Sequence, residues 1–552
     1  MRTKPSQSTP AAAATVPAAR TADATELAPV SRRFLAKATL VTAVLSVAGA
    51  VLGLVRDQAL ARLFGAGSET DAFLVAWTVP EFAATLLIED GLAFVLIPAF
   101  SLALARRAQG APGDPVRALV AATLPRLSLA FVAVSALIAG TAPHLVEALA
   151  PGLPDPSLAV DCTRITALCV LGFGLAGYCS AVLRAHRRFL VPAAIYVAYN
   201  TGIITAMFVL GGRWGVRSAA LGVAVGSGLM VAVQLPSVWR RLRRKAAARQ
   251  EPVESPDRAV TLALVATVLL FALCRQSQVL IERFLASTLP AGAISHLNYA
   301  QKVAQIPMTL SLMLCTVTFP VVARALAEGD VQRARDRVER DLALAACMVL
   351  LGAATVIACA PQMIELLFQR GAFTAADTAA TAGVMRVYAL GLLGQTLVGC
   401  LIRSYFSAGR PTWYPLGAMA VGIVVTCWLG VWAVGPWGVT GIAAANAAGI
   451  TVTAALLLAG MGERNVPIRT RRVLAELGRP VCAAAVATLA GAFVASRFGT
   501  PLPALAAGAS TVTVVFALLA QALGARGLAP VHHSVRHVAR TVTRRLRHGS
   551  NR

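Results

Sequence analysis

Long apolar blocks, each close to the length that crosses a hydrocarbon core, constrain this sequence more than any other feature. A spanning helix needs about 20 consecutive apolar residues, and breaks at Gly, Pro and clustered charge divide the chain into fourteen such segments. They run near 38–62, 71–103, 122–149, 159–184, 190–211, 215–239 and 259–286, then 293–323, 341–360, 377–406, 412–434, 438–461, 475–497 and 502–524. The apolar residues follow neither strand alternation nor a heptad, so the pattern predicts an all-α membrane protein. With 57% hydrophobic and 14% charged residues, the chain has too little polar surface for a soluble protein of 552 residues.

The net charge of +25 comes from 46 Arg and 4 Lys against 25 acids. A soluble protein this basic would suggest nucleic acid, but here the arginines cluster between apolar blocks and read as orientation and headgroup contact. No nucleic-acid partner is expected. Loops after even-numbered segments hold Arg106 and Arg107, then Arg184, Arg187 and Arg188, then Arg240, Arg241, Arg243, Arg244 and Lys245. The series continues with Arg333, Arg335, Arg337 and Arg340, with Arg403 and Arg410, and with Arg464, Arg469, Arg471 and Arg472. Odd-numbered loops hold few bases. The positive-inside rule therefore places both termini in the cytoplasm.

Residues 1–34 are rich in Ala, Thr and Pro and lack the apolar stretch of a signal peptide, so they read as a disordered tail. The ten Cys lie mostly inside apolar segments with no C-x-x-C spacing, which favours packing over metal or disulfide roles. No nucleophile–base–acid set, metal motif or phosphate-binding glycine loop is present, so neither an enzyme nor a cofactor is expected.

Sliding the chain on itself by 223 residues aligns Ala185, Arg187, Pro192, Gly212, Trp214, Gly215, Val216, Ala220, Ala224 and Gly226 with Ala408, Arg410, Pro415, Gly435, Trp437, Gly438, Val439, Ala443, Ala447 and Gly449. Segments five and six thus map onto eleven and twelve. An offset of six helices keeps both copies in one orientation, and parallel repeats flanking a substrate path are a transporter architecture. The expected organisation is a tail (1–35), a first six-helix lobe (36–255), a second (256–462), an appended helix pair (463–524) and a basic cytoplasmic tail (525–552). Duplication without transport is the alternative.

Charge at bilayer depth is costly unless it faces protein or water, so each such residue is a candidate site. Arg56 and Asp57 interrupt the first segment, Asp71 opens the second, and Glu89 and Asp90 lie in its middle. Segment seven carries Arg275, Gln276, Gln278, Glu282 and Arg283, and segment eight carries Ser295, Asn298, Gln301, Lys302 and Gln305. Positions 295, 298, 302 and 305 share one helical face, which must meet a cavity or another helix. Arg56–Asp57 and Glu282–Arg283 could equally cap helix ends near the headgroups. Lys302 and Arg275, with apolar residues on both sides, are expected in a cavity. Their cationic groups suit an anionic substrate such as a pyrophosphate.

With these residues in view, the sequence resembles the MviN/MurJ family of lipid II flippases, within the MOP transporter superfamily. The resemblance rests on L-G-L-V-R-D-Q-A-L-A-R-L-F-G-A-G-S-E-T-D-A-F, Leu52 to Phe73, and on Leu367-Phe368-Gln369-Arg370-Gly371-Ala372-Phe373-Thr374. It implies two six-helix lobes around a V-shaped cavity, a helix pair forming a groove for a polyprenyl tail, and alternating access in a bacterial inner membrane. Arg56, Asp71, Glu89 and Ser295 match the family pattern. Gly49 and Ala50 stand where the family has Ser-Arg, Ala84 stands at a family Arg, and Tyr299-Ala300-Gln301-Lys302 replaces Tyr-Ala-Asp-Arg. Arg275 is not called for by the pattern.

The implied cargo is lipid II or another polyprenyl-pyrophosphate saccharide, with membrane lipids around the chain and cell-wall synthesis proteins as candidate partners. A MATE-like cation-coupled exporter and a non-transporting cell-wall scaffold are the alternatives.

Overall fold

The computed structural model describes residues 32–89, 91–109, 113–243, 262–313, 328, 330–407, 412–464 and 467–525, and every regular element among them is helical. The expected tails at 1–35 and 525–552 lie almost wholly outside these residues, as do Asp90, Arg244, Lys245, Cys315 and Arg410. The first half runs α1 (Arg32–Phe64), α2 (Ser68–Ala76), α3 (Thr78–Ala84), a π-helical turn (Thr85–Glu89) and α4 (Gly91–Ala108). It continues through α5 (Pro115–Leu149), α6 (Pro156–Ala167), α7 (Cys169–Ala185), α8 (Leu190–Ala193), α9 (Ile195–Trp214) and α10 (Arg217–Arg243). The second half holds α11 (Leu262–Ala286), α12 (Ala293–Ala304), α13 (Val331–Ala358), α14 (Ala360–Phe368), α15 (Ala375–Ala389), α16 (Leu392–Ser407) and α17 (Tyr414–Arg464). Two further helices, α18 (Thr470–Ala495) and α19 (Pro501–Ala522), follow.

Among the described residues ten helical stretches are long and apolar enough to cross a membrane, and the pair α15–α16, bent by 47°, makes up to eleven. The exposed surface carries the pattern of a lipid face: Leu129, Val209, Trp428 and Leu489 are 71%, 71%, 72% and 74% exposed. In water such a surface would aggregate, whereas against lipid tails it costs nothing. The chain is an all-α, multi-pass membrane protein.

Several expected segments differ from straight rods, for identifiable reasons. The second breaks after Ala76 because Pro80 has no N–H to offer the Ala76 carbonyl. That carbonyl accepts instead from the Thr166 hydroxyl at 3.3 Å, so it is not orphaned within the bilayer. Beyond it the π turn pushes the Leu87 carbonyl against α7, where a Cβ on Gly177 would lie 1.9 Å from that oxygen. Gly177→Ala should therefore cost about 1–3 kcal/mol as an overpacking change. Thermal unfolding of the purified protein in detergent checks this, and an unchanged midpoint would contradict it.

The helix α13 starts ten residues before the apolar block expected at 341. Asp330 caps it by accepting from the Arg333 N–H at 2.9 Å, and Arg337 pairs with Asp341 at 3.3 Å. Hydropathy marks only the part of a helix that lies in lipid.

The internal repeat has a structural counterpart. Gly215 (φ 55°, ψ −143°) and Gly438 (φ 53°, ψ −132°) adopt the same left-handed conformation at equivalent positions. A Cβ on Gly226 would lie 2.6 Å from the Tyr199 carbonyl oxygen, and one on Gly449 would lie 2.6 Å from that of Gly422, again 223 residues on. Both copies thus bring two helix backbones into contact at a glycine.

In the first half α9 packs on α10 and α1, and α10 on α7; in the second α16 packs on α17 and α13. The hairpin α18–α19 lies on α13. The halves meet where α2 touches α12 and α1 touches α14.

Candidate substrate cavity

A cavity of about 490 Å³ lies between the halves. Glu81, Thr85 and Glu89 line it from the first half; Arg275, Gln276 and Gln278 from α11, Gln301 and Lys302 from α12, and Gln305 just past its end, line it from the second. Tyr388, Gln395, Arg403 and Asn446 complete its polar wall.

The wall is built on one buried phenol. Tyr388 Oη accepts from Gln301 Nε2 at 2.8 Å, Gln395 Nε2 at 3.2 Å and Gln305 Nε2 at 3.5 Å. These bonds hold three carboxamides, from α12, its C-terminal cap and α16, around a single point. Lys302, one residue from Gln301, has no ion pair or hydrogen bond among the described residues. Arg403 donates to the Leu312 carbonyl at 3.0 Å, which fixes its guanidinium across to the helical stretch that follows α12. Glu89 accepts from the Tyr196 hydroxyl at 3.1 Å. Buried Gln278 Nε2 and Asn446 Oδ1 lack hydrogen-bond partners, so the wall retains unused polar capacity.

Deeper in, Arg283 and Glu81 form an ion pair across the halves at 2.9 Å, and Arg283 also donates to the Thr78 hydroxyl. Glu282 accepts from Asn446 Nδ2 at 2.5 Å. A chamber of about 20 Å³ beside this pair is lined by Glu282, Arg283, Asn298 and Gln301, among others. It has room for one water.

One end of the space is sealed. Asp71, buried on α2, accepts from the backbone N–H of Gly292 at 2.7 Å and of Ser295 at 2.8 Å, and from the Ser295 hydroxyl. The carboxylate thereby caps α12 from the opposite half, where the helix has unsatisfied N–H groups and a positive dipole end. Tyr299, Phe368 and Phe373 cluster beside it, with ring centroids 5.0 and 5.7 Å from Tyr299 and the Phe373 ring edge-on. The Ala372 N–H donates to the Arg62 carbonyl at 2.9 Å. Gly371 turns there with φ 65°, and a Cβ would lie 2.3 Å from the Arg62 oxygen. The two stretches that carry the family resemblance, Leu52 to Phe73 and Leu367 to Thr374, therefore touch each other at this seal.

The structure brings Lys302, Arg275, Glu89, Gln301 and Gln305 to one cavity and Asn298 to the adjoining chamber. It places Asp71 and Ser295 in the seal, and Arg56 elsewhere. The Arg56 guanidinium donates to Asp57 Oδ1 at 2.7 and 3.0 Å and to Asn200 Oδ1 at 3.2 Å, with Trp77 4.4 Å beneath it. Arg56–Asp57 and Glu282–Arg283 do not cap helix ends. The residues not foreseen are Glu81, Tyr388, Gln395, Arg403 and Asn446. Gln395 and Asn446 sit in apolar runs, so the rule that found Lys302 would have found them too.

The model of the family described as lipid II flippase MurJ matches residues 60–505. The chain belongs to the lipid II flippase MurJ family. It is 27% identical over 443 residues to the lipid II flippase MurJ of Burkholderia cenocepacia, covering 78% of this chain and 84% of that one. It is 26% identical over 511 residues to the probable lipid II flippase MurJ of Rhizobium meliloti, covering 88% and 92%. A solved structure of lipid II flippase MurJ in an inward closed conformation superposes with a TM-score of 0.68 at 19% identity, over 88% of this chain and 99% of that one. An inward-facing MATE multidrug resistance transporter of the MOP superfamily gives 0.60 at 14%, over 80% and 98%. The fold is therefore that of the MurJ and MATE transporters. Family and apolar helices together make this a multi-pass protein of the bacterial inner membrane.

Proposed function

We propose that this chain carries lipid II, or a similarly built polyprenyl-pyrophosphate saccharide, from the cytoplasmic to the outer leaflet by alternating access in peptidoglycan synthesis. It is a transporter and not an enzyme. The observation that carries the reading is a cavity walled by both halves of a MurJ-family chain, sealed at one end and holding Lys302, Arg275 and Arg403. A pyrophosphate cannot cross a low-dielectric passage unpaired, and ammonium and guanidinium groups supply charge-assisted hydrogen bonds. The same cations argue against a cationic amphiphile as cargo.

Fourteen spans follow when the ten stretches are joined by the bent pair, by α11, by α12 with its helical continuation to residue 313, and by dividing α17 at Gly438. Two six-helix lobes (36–255 and 256–462), with the helix pair of 463–524 beside a polyprenyl tail, accommodate them. The basic loops put both termini in the cytoplasm, and with them the open end of the cavity. The Asp71 seal then faces outward.

Lys302→Ala should abolish rescue of a flippase-depleted strain and reduce surface-exposed precursor at least ~10-fold, since a charge-assisted hydrogen bond is worth about 1.5–3 kcal/mol. Lys302→Arg should rescue, and protein levels should be equal in both. Full rescue by Lys302→Ala would remove the cationic site, and a change in drug tolerance would favour the exporter.

A further inference from the structure

The outer surfaces of the two halves are not alike. Before its corner at Gly438, α17 exposes Gly417, Val421, Val424, Trp428, Val431 and Gly435, spaced alternately by four and three residues. That spacing is the a/d seam of a coiled coil. The rest of the described chain leaves it open: Val424, Trp428 and Val431 are 66%, 72% and 66% exposed. At its two ends a Cβ on Gly417 or Gly435 would meet nothing within 4 Å, and small residues let neighbouring helix backbones approach in a membrane.

Trp428 is out of place for a residue that meets only lipid tails. Tryptophan belongs at the headgroup level, where Trp437 sits beside the Gly438 corner with Trp432 edge-on to it at 5.6 Å. Trp428 lies about 15 Å of helix further in. The internal repeat supplies the contrast. Trp428, Val431 and Trp432 correspond to Thr205, Phe208 and Val209 on α9, which are exposed too. The first half therefore builds the same face without indoles, and the fold does not require them.

Around Trp428 the surface forms an open cleft of about 590 Å³, lined by Ile423, Val424, Cys427, Trp428, Val431 and Trp432. In a parallel coiled coil, a knob at an a position enters a hole made by four residues of the facing helix. For Trp428 that hole consists of the partner's own Val424, Cys427, Trp428 and Val431. All four line the cleft. The helix thus carries both the knob and the hole that receives it. Two copies inserted the same way meet with their α17 helices parallel, as this match needs, and a self-complementary patch closes with two-fold symmetry. We propose that this protein forms a homodimer in the membrane along the α17 seam, with Trp428 of each copy seated in the cleft of the other. The assignment is independent of the cargo, and none of the seam residues lines the cavity between the halves.

The test uses the full chain, co-expressed in cells as two differently tagged copies, with the photoprobe p-benzoylphenylalanine introduced at Val431. Illumination should give a covalent band that carries both tags. The same probe at Phe208, the equivalent exposed position of the first half, should give none. In lipid vesicles, energy transfer between donor- and acceptor-labelled copies should fall on dilution with excess lipid. Trp428→Ala should weaken that association by roughly 10-fold or more, as truncation of a central interface anchor does. Trp428→Phe should fall between. Because Trp428 is exposed in the single chain, both variants should keep the wild-type unfolding midpoint, which excludes a folding defect. No two-tag band from Val431, an equal one from Phe208, or wild-type association in Trp428→Ala would each overturn the homodimer. A Val431 adduct with a different protein alone would overturn it as well, by giving the seam another occupant.

Discussion

Asp71→Ala should unseal the closed end of the cavity and abolish transport while the chain is still made and inserted. Three donors converge on this one buried carboxylate, two of them N–H groups at the start of α12 and one the Ser295 hydroxyl. Hydrogen bonds to a buried charge contribute about 1.5–3 kcal/mol each. They are coupled, so their joint loss should weaken the sealed arrangement by roughly 3–6 kcal/mol, or about 10²–10⁴ in the sealed-to-open ratio. Spin labels on non-natural residues at Glu69 and Ala379, both exposed near this end, would report the change. The variant should give a longer and broader distance distribution than wild type. A superimposable one would mean that the aromatic cluster and the Arg62–Ala372 contact hold the end shut without Asp71.

Arg283→Ala should be the most damaging single change at the roof of the cavity. It strips Glu81 of its partner and leaves a carboxylate between the halves. Removing one member of a buried ion pair costs about 3–5 kcal/mol. The Arg283 side chain is 6% exposed but that of Glu81 is 23%, which places the expected cost near the lower end. Glu81→Gln combined with Arg283→Leu removes both charges and should recover most of the lost thermal stability, because the desolvation cost goes with the pair. A double variant as unstable as Arg283→Ala would show that packing, not charge, makes the contact matter.

Apolar blocks were readable because lipid demands them, and ten helical stretches, or eleven with the bent pair, lie among them. Breaks inside them were not. The end of α2 depends on what Thr166 offers to the Ala76 carbonyl, and the π turn on the room left by Gly177, both far away in sequence. The bend between α15 and α16 falls at Gly391, where a Cβ would lie 2.9 Å from Ala447 Cα, another contact invisible along the chain. For the cavity, intramembrane polarity pointed to Lys302, Arg275, Gln301 and Gln305. The same signal marked Asp71 and Ser295 without revealing that they bond to each other across 224 residues. Arg403 was hidden because a base near a segment end looks like topology.

The shared backbone angles at Gly215 and Gly438 explain why the duplication can still be read at all. A side chain at either corner would impose roughly 1–3 kcal/mol of strain, so substitution there meets resistance whatever the neighbouring chemistry. Most other positions of the two copies carry different residues. The Gly of the shared W-G-V thus stands where the main chain leaves no second option.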